Sequence, residues 1–201
     1  MRPTELTAGA DTLAVAVRKL LEHAVRATDP AQVTAATELI RSATAELRDL
    51  RTGPWVVGGT LPSPYNAVLG PGNPIAPPVV LTQHDADGVK GEVRFGTAYE
   101  GAPGLVHGGH LACVMDQVFG EAGIAARVAG MTVGLELRYA APTPVLTDLL
   151  LEAHVVASGD RIVEMAGTIT ANGTVTVTAT ATFFRLTEEH ARRIFGRMDQ
   201  A

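Results

Sequence analysis

The sequence predicts an α+β protein in which one buried helix is covered by a curved antiparallel sheet. Residues 101–127 include a long run that is apolar on nearly every side, which is typical of a helix enclosed within a domain. Residues 131–186 hold four alternating segments separated by turn signals, and residues 79–95 hold two more, as expected for strands joined by hairpins. Residues 11–50 show helical periodicity and precede all of these strands.

Composition restricts the class of protein. A chain of 201 residues is long enough for one domain with a sizeable core and an appendage. The net charge of −5 argues against nucleic acid or an anionic membrane as the principal partner. The single cysteine, Cys113, excludes an intrachain disulfide and a cysteine metal cluster. The first 25 residues lack the features of a signal peptide, and carboxylates interrupt the apolar run, so we expect a cytoplasmic protein without a membrane span.

Residues 1–52 are assigned to an N-terminal helical extension without chemistry of its own. The first helix has apolar residues at steps of three and four, namely Leu13, Val17, Leu20 and Ala24. The second should start at Asp29, with Pro30 at the first helical position and Gln32 at the capping-box position. Its apolar seam is narrow and comprises Val33, Ala36, Ile40, Ala43, Leu47 and Leu50. Such a seam suits one partner, either the first helix or a neighbouring subunit.

The remainder divides into a connecting loop and the main domain. Residues 53–78 are rich in glycine and proline and are predicted to be a loop over the core, anchored by Trp55 and Tyr65. Residues 79–201 form the main domain and end in a short helix at 187–197. Turns within this domain are predicted at Ala86-Asp87-Gly88, Gly159-Asp160 and Asn172-Gly173.

The buried helix carries one carboxylate, Asp116, on a face made mostly of small residues. At 100° per residue, this face also holds Gly109, Ala112, Cys113, Phe119, Gly120 and Gly123. A strip of this kind lets a ligand lie close along the helix, and it could equally accept a strand or a second copy of the helix. A carboxylate on a buried helix is costly unless it is paired or functional. Glu121 falls on nearly the opposite face, so it is not a partner for Asp116.

The helix is predicted to begin near Gly108, and its first amides could polarise a carbonyl group. The N–H groups of Gly108 and Gly109 have no partner within the helix and lie at the positive end of its dipole. Gly109 and Asp116 are seven residues apart, which is roughly 10 Å along the axis. Attack on a carbonyl needs both groups within about 3 Å of the reacting atoms. If both act together, they must come from different subunits.

These residues resemble the hotdog-fold acyl-CoA thioesterases, in particular the PaaI-like branch and the branch of thioesterase superfamily member 4. The resemblance rests on His107-Gly108-Gly109, on Asp116 seven places after the second glycine, and on Thr132 at the start of the next strand. It extends over residues 79–186 and also includes Tyr99-Glu100-Gly101, the strand that ends at Tyr139, and Pro142-x-Pro144.

The resemblance implies a sheet wrapped around the central helix, two sheets joined edge to edge in a homodimer, and two sites across the interface. It implies that Gly109 donates its N–H to the thioester carbonyl and that Asp116 of the other subunit acts as nucleophile or general base. It implies that His107 shapes the turn and that Thr132 places water or the carboxylate. The substrate-binding residues expected along the helix are Gly108, Ala112 and Gly120.

The expected reaction is hydrolysis of an acyl-CoA thioester, with no cofactor and no metal, by a homodimer or a tetramer. The alternative is a non-catalytic protein that binds or senses acyl-CoA on the same fold, because fold does not fix function. Asp116 favours the enzyme, because a binder does not need a carboxylate beside the thioester. A hotdog-type hydratase would need an Asp-x4-His pair, which the motif region does not contain.

Other titratable residues receive structural interpretations. His107 and His110 have the spacing of a metal pair, but no third ligand follows at a recognisable distance. Cys113 has no histidine placed to activate it, so we expect it to be buried packing. We expect His84 and His154 to be strand-end or solvated residues.

Overall fold

The computed structural model describes residues 3–48 and 64–185. Helices α1 (Pro3–Ala24) and α2 (Pro30–Glu46) come first, followed by strands β1 (Val80–Asp85) and β2 (Gly88–Arg94), a 3-10 helix (Thr97–Tyr99), helix α3 (Gly108–Ala125), and strands β3 (Gly130–Tyr139), β4 (Asp148–Ser158), β5 (Ile162–Ala171) and β6 (Thr174–Arg185). The predicted helix at 187–197 and the predicted anchor Trp55 lie outside the described residues.

The six strands form one antiparallel sheet in the order β1-β2-β4-β5-β6-β3. The predicted hairpin at Asn172 and Gly173 is confirmed, because both residues have positive φ angles of 49° and 77° and join β5 to β6. Two consecutive positive φ values match the right-handed twist of the flanking strands. This connectivity leaves β3 and β1 at the two edges of the sheet.

Helix α3 packs against the sheet and supplies much of the core, which confirms the predicted buried helix. Its largest fully buried apolar side chains are Leu111, Val114, Met115, Val118 and Phe119. They meet inward-facing strand residues that include Val89, Leu149, Leu151, Met165 and Ile169. Burial of each large apolar side chain contributes about 1.5–3 kcal/mol, so the helix is held mainly by packing. Within residues 3–48 and 64–185, no helix is long and apolar enough to cross a membrane.

The buried carboxylate of α3 is Glu121, and not Asp116 as the sequence suggested. Glu121 is 2% exposed, whereas Asp116 is half-buried. Gln117 Nε2 donates to Glu121 Oε1 at 2.9 Å, and His84 Nε2 lies 3.1 Å from Oε2. Asn66 Nδ2 in turn donates to Gln117 Oε1 at 3.0 Å. His84 lies at the end of β1 and is exposed, as expected, and its ring also contacts this buried carboxylate, which the sequence did not predict.

Strand β3 presents apolar side chains along an unpaired edge. Met131 is 45% exposed, Val133 61% and Leu135 37%. Among the residues that the structure describes, β3 pairs only with β6, on its inner side. A ten-residue edge with free backbone groups and exposed apolar side chains is a template for pairing with another strand.

The N-terminal extension divides into an anchored helix and an exposed one. In α1, Ala14 is buried, the Arg18 side chain hydrogen-bonds to the connecting loop, and the Glu22 side chain hydrogen-bonds to the main domain. The Asp29 cap predicted for α2 is confirmed, since its carboxylate accepts the N–H groups of Ala31 and Gln32. Helix α2 buries none of its residues, so the part of the predicted seam within Pro30–Glu46 is not enclosed by α1.

We expect Glu121→Ala to lower the free energy of unfolding by about 3 kcal/mol, because Gln117 and His84 would lose the buried acceptor that they share. Urea denaturation at a fixed protein concentration measures this change. The matched control is Glu164→Ala on the exposed face of β5, which should alter the free energy by less than about 0.5 kcal/mol. Equal effects of the two substitutions would contradict a stabilising role for the Glu121 cluster.

Candidate active site

The start of α3 is capped by His107. Its Nδ1 accepts the N–H of Gly109 at 3.0 Å, and its backbone carbonyl accepts the N–H of His110 at 2.9 Å. Only an imidazole with an unprotonated Nδ1 can accept, so this cap requires the neutral tautomer with its proton on Nε2. The predicted role of His107 in shaping the turn therefore has a specific geometric form, which is an N-cap.

The two glycines at the helix start differ in what their amides contact. The N–H of Gly109 is already donated to His107, whereas the N–H of Gly108 has no acceptor among the residues that the structure describes. The Gly109 amide that the sequence assigned to a substrate carbonyl is thus engaged within the protein. Gly108 presents the unoccupied donor at the positive end of the helix.

Tyr139, at the end of β3, packs on the helix start. Its hydroxyl donates to the carbonyl oxygen of Gly108 at 3.0 Å. A Cβ at Gly108 would lie 3.1 Å from the Tyr139 ring, which is tighter than ordinary contact. The sequence pattern identifies Tyr139 only as part of a strand, because spacing in the chain does not show which residue of a strand faces a helix end.

A cavity of about 310 Å³ opens beside the helix start. Gly108, Gly109, Tyr139 and Thr143 are among its lining residues, and Asp116 is not. Since Gly108 and Asp116 are eight residues apart, about 12 Å of helix separates them. The cavity therefore combines the free amide with apolar walls but lacks a carboxylate from its own chain.

Asp116 is paired with Thr132, the residue that the resemblance expects to place either water or the carboxylate. The Thr132 hydroxyl donates to Asp116 Oδ1 at 2.8 Å. An irregularity in the pairing of β3 with β6 falls between Thr132 and Gly134, and such bulges redirect neighbouring side chains. The other carboxylate oxygen, Oδ2, has no hydrogen-bond partner among the described residues.

The face of α3 around Asp116 is only partly covered. Ala112 and Gly120 are half-buried, and a Cβ at Gly120 would meet nothing within 4 Å. By contrast, Phe119 and Gly123, which the helical period placed on the same face, are buried in the core. Space for a ligand or a second chain thus follows the Ala112 to Gly120 portion of the strip.

Cys113 is exposed, so the expectation of a buried packing residue is wrong. It lies one helical turn before Asp116, on the part of the helix that the sheet does not cover. Partial burial raises the pKa of its thiol, and the negative charge of Asp116 raises it further. Both effects disfavour the thiolate.

The histidines at the helix start stay close together. The His107 and His110 rings are 6.0 Å apart, and Tyr99 packs edge-on against His110 at 5.1 Å. Partial burial lowers the pKa of His110, with a smaller contribution from His107. Within residues 3–48 and 64–185, no group of three or more His, Cys, Asp or Glu side chains is arranged to hold a metal ion.

Comparison with known proteins places this geometry in a family. The family model described as the thioesterase superfamily matches residues 103–185, which include the helix start, Asp116 and Thr132. A solved protein of the thioesterase superfamily is 30% identical, with a TM-score of 0.78, over 87% of this chain and 90% of that one. The chain belongs to the thioesterase superfamily. The predicted hotdog fold with an N-terminal helical extension is thereby confirmed.

The likeness to this thioesterase-superfamily protein extends beyond the sheet and α3. Coverage of 87% of 201 residues corresponds to about 175 residues, whereas residues 64–185 number 122. Part of the N-terminal region is therefore included in the match. No curated protein matches the chain.

Two further thioesterase structures share the fold at lower identity. A hypothetical thioesterase from Streptococcus pneumoniae, solved with coenzyme A, is 22% identical with a TM-score of 0.51, over 53% of this chain and 87% of that one. A Streptococcus mutans protein bound to acetyl-CoA is 19% identical with a TM-score of 0.52, over 54% and 88%. The pneumococcal protein has also been solved with alanine in place of an aspartate and in place of a threonine sixteen residues later. Asp116 and Thr132 have the same separation in this chain.

We expect Asp116→Asn to lower the pKa of Cys113 and to speed its alkylation near neutral pH, because the substitution removes the negative charge that disfavours the thiolate. The rate of reaction with iodoacetamide, followed against pH, measures the shift, and the single cysteine makes the signal unambiguous. Asp148→Asn, an exposed carboxylate on β4, serves as the matched control and should leave the profile unchanged. Identical profiles for the wild type and Asp116→Asn would show that the two side chains are not coupled.

Proposed function

We propose that this member of the thioesterase superfamily is a homodimeric acyl-CoA thioesterase. Its reaction adds water across the thioester bond and releases a carboxylic acid and free CoA. The observation that carries the proposal is the pairing of Thr132 with Asp116 at 2.8 Å, on a half-open helix face, which leaves one carboxylate oxygen available for chemistry. The coenzyme A and acetyl-CoA bound by two streptococcal proteins of the same fold support this substrate class.

In the proposed mechanism, Asp116 supplies the activating carboxylate. Thr132 fixes Oδ1, so Oδ2 faces the substrate or the water. A carboxylate can attack the thioester carbon directly, or it can take a proton from a water that attacks; both routes use the same oxygen. The hydrogen bond from Thr132 also limits rotation of the carboxylate, which reduces the cost of orienting it.

The helix start of α3 supplies electrostatic stabilisation. We assign the donor to Gly108 in place of Gly109, because the Gly109 amide is held by the His107 cap. As the thioester carbonyl becomes an oxyanion, a fixed N–H at the positive end of a helix stabilises the new charge. The adjoining cavity, with Tyr139 and Thr143 among its walls, would receive the portion of the substrate next to this carbonyl.

A second subunit brings these two groups together in the proposal. About 12 Å of helix separates Gly108 from Asp116 within one chain, whereas the reaction needs both within about 3 Å of the thioester. The unpaired edge of β3 carries exposed Met131, Val133 and Leu135, and Thr132 and Tyr139 belong to the same strand. Pairing of two β3 edges would therefore bring the site residues of both subunits to the interface.

Asp116→Asn should reduce the turnover of acyl-CoA by at least about 100-fold, because an amide can neither attack nor accept the proton. Thiol release from short, medium, long and aromatic acyl-CoAs measures this loss and identifies the preferred acyl group. Asp148→Asn is the matched control and should retain wild-type turnover. If the wild type binds acyl-CoA without hydrolysing it, the protein is an acyl-CoA binder and not an enzyme. If Asp116→Asn retains turnover, Asp116 is not the activating carboxylate.

Mixing two inactive variants should restore activity if each site is shared. Gly108→Val places a branched side chain against Tyr139 at the helix start, and Asp116→Asn removes the carboxylate. Each variant alone should be inactive, whereas an equal mixture after subunit exchange should recover about a quarter of wild-type turnover, since half the dimers would hold one intact site.

The control for this mixture pairs Asp116→Asn with the double variant Gly108→Val/Asp116→Asn, which leaves no intact site in any dimer. A mixture of the two single variants that is no more active than this control would mean that each site lies within one subunit.

A further inference from the structure

One carboxylate of helix α1, that of Glu22, hydrogen-bonds to the main domain. Glu22 Oε2 accepts the N–H of Thr97 at 2.7 Å and the Thr97 hydroxyl at 2.8 Å, while Oε1 accepts the N–H of Ala98 at 3.2 Å. Three donors thus converge on a single side chain at the start of the 3-10 helix. Bonds to a charged acceptor are stronger than those between neutral groups, so this is the best-defined contact of the extension.

The residue before the 3-10 helix makes room for this contact. A Cβ at Gly96 would overlap the carboxylate of Glu22, and Gly96 lies in extended backbone that any residue can adopt. The glycine is therefore explained by the close approach of Glu22 rather than by a special backbone angle. A glycine at position 96 thus allows α1 to contact the start of the 3-10 helix.

Arg18, one turn earlier on α1, binds backbone carbonyls of the connecting loop. Its guanidinium donates to the carbonyl oxygens of Pro71 at 2.6 Å, Asn73 at 3.1 Å and Ala76 at 3.2 Å. These residues belong to the loop that precedes β1. Tyr99 connects the loop to the 3-10 helix, because its hydroxyl donates to the carbonyl of Ile75 at 3.2 Å.

The 3-10 helix in turn fixes the turn at the start of α3. The carbonyl of Tyr99 accepts the backbone N–H of His107 at 2.9 Å. The Tyr99 ring packs on His110 and on Phe95, with centroids 5.1 Å and 5.3 Å apart. A continuous series of contacts therefore runs from Glu22 through Thr97 and Tyr99 to the residue that caps α3.

We propose that Glu22 is a positioning residue for the amide of Gly108, and that the N-terminal extension thereby helps to set the geometry of the site. The proposal rests on the function assigned above. Glu22 touches neither the substrate nor the reacting atoms; it holds the 3-10 helix, whose Tyr99 holds His107 and so sets the direction of the first amides of α3. Displacement of such a donor by about 1 Å is enough to reduce catalysis strongly.

The test uses Glu22→Gln in the full chain. The amide keeps the size of the side chain and one acceptor oxygen, but it turns an NH₂ group toward a backbone N–H that needs an acceptor. We expect kcat to fall about tenfold, KM to change less than twofold and the oligomer to stay intact. Glu38→Gln, an exposed carboxylate on α2, is the matched control and should leave kcat unchanged.

A second readout does not depend on activity. The ¹H–¹⁵N shifts of the Gly108 and Gly109 amides should move in Glu22→Gln and not in Glu38→Gln, at a temperature well below unfolding of either variant. Shifts and kcat that both stay at wild-type values, with only a lower melting temperature, would overturn the proposal and leave a structural anchor. Wild-type protein that hydrolyses no acyl-CoA would refute the proposed function instead, and the amide shifts would still decide whether Glu22 positions the helix start.

Discussion

The packing of α3 into the sheet is the interaction on which the other features depend. It buries one side of the helix completely, so only the remaining side can carry a site. On that side, α3 has a free amide at its start and a carboxylate two turns later. A rigid helix cannot bend to bring these together. The fold thus keeps these two groups apart and places β3, whose Thr132 and Tyr139 contact Asp116 and Gly108, at the edge of the sheet.

The two carboxylates of α3 lie in different environments, and the proposed function gives them different roles. Glu121 is enclosed and fully engaged with Gln117 and His84, so it serves the loop and β1 that pack around it. Asp116 has one bonded oxygen and one open oxygen on a half-covered surface. Buried ionisable groups need partners on every side, whereas a reactive group must keep one side available.

The sequence predicted the fold well because its signals were local. Periodicity located the helices, and turn pairs such as Asn172-Gly173 located the hairpins. Asp116 and Thr132, which the motif marks as site residues, lie in hydrogen-bond contact. Contacts between residues that are distant in the chain were not predicted: His84 with Glu121, Tyr139 with Gly108, and Glu22 with Thr97. The exposure of Cys113 was also not predicted, because periodicity shows which helix face a residue occupies but not which other segments cover that face.

The exposed edge of β3 bears on both the solubility of the protein and its proposed activity. A lone subunit would expose an apolar strand with unpaired backbone groups, which is the type of surface that recruits other chains into aggregates. Under the proposed arrangement, the same pairing that covers this strand completes both sites. Selection for activity and selection against aggregation would then act on one set of side chains. Substitutions along β3 would be constrained twice, even at positions such as Val133 that lie outside the catalytic groups.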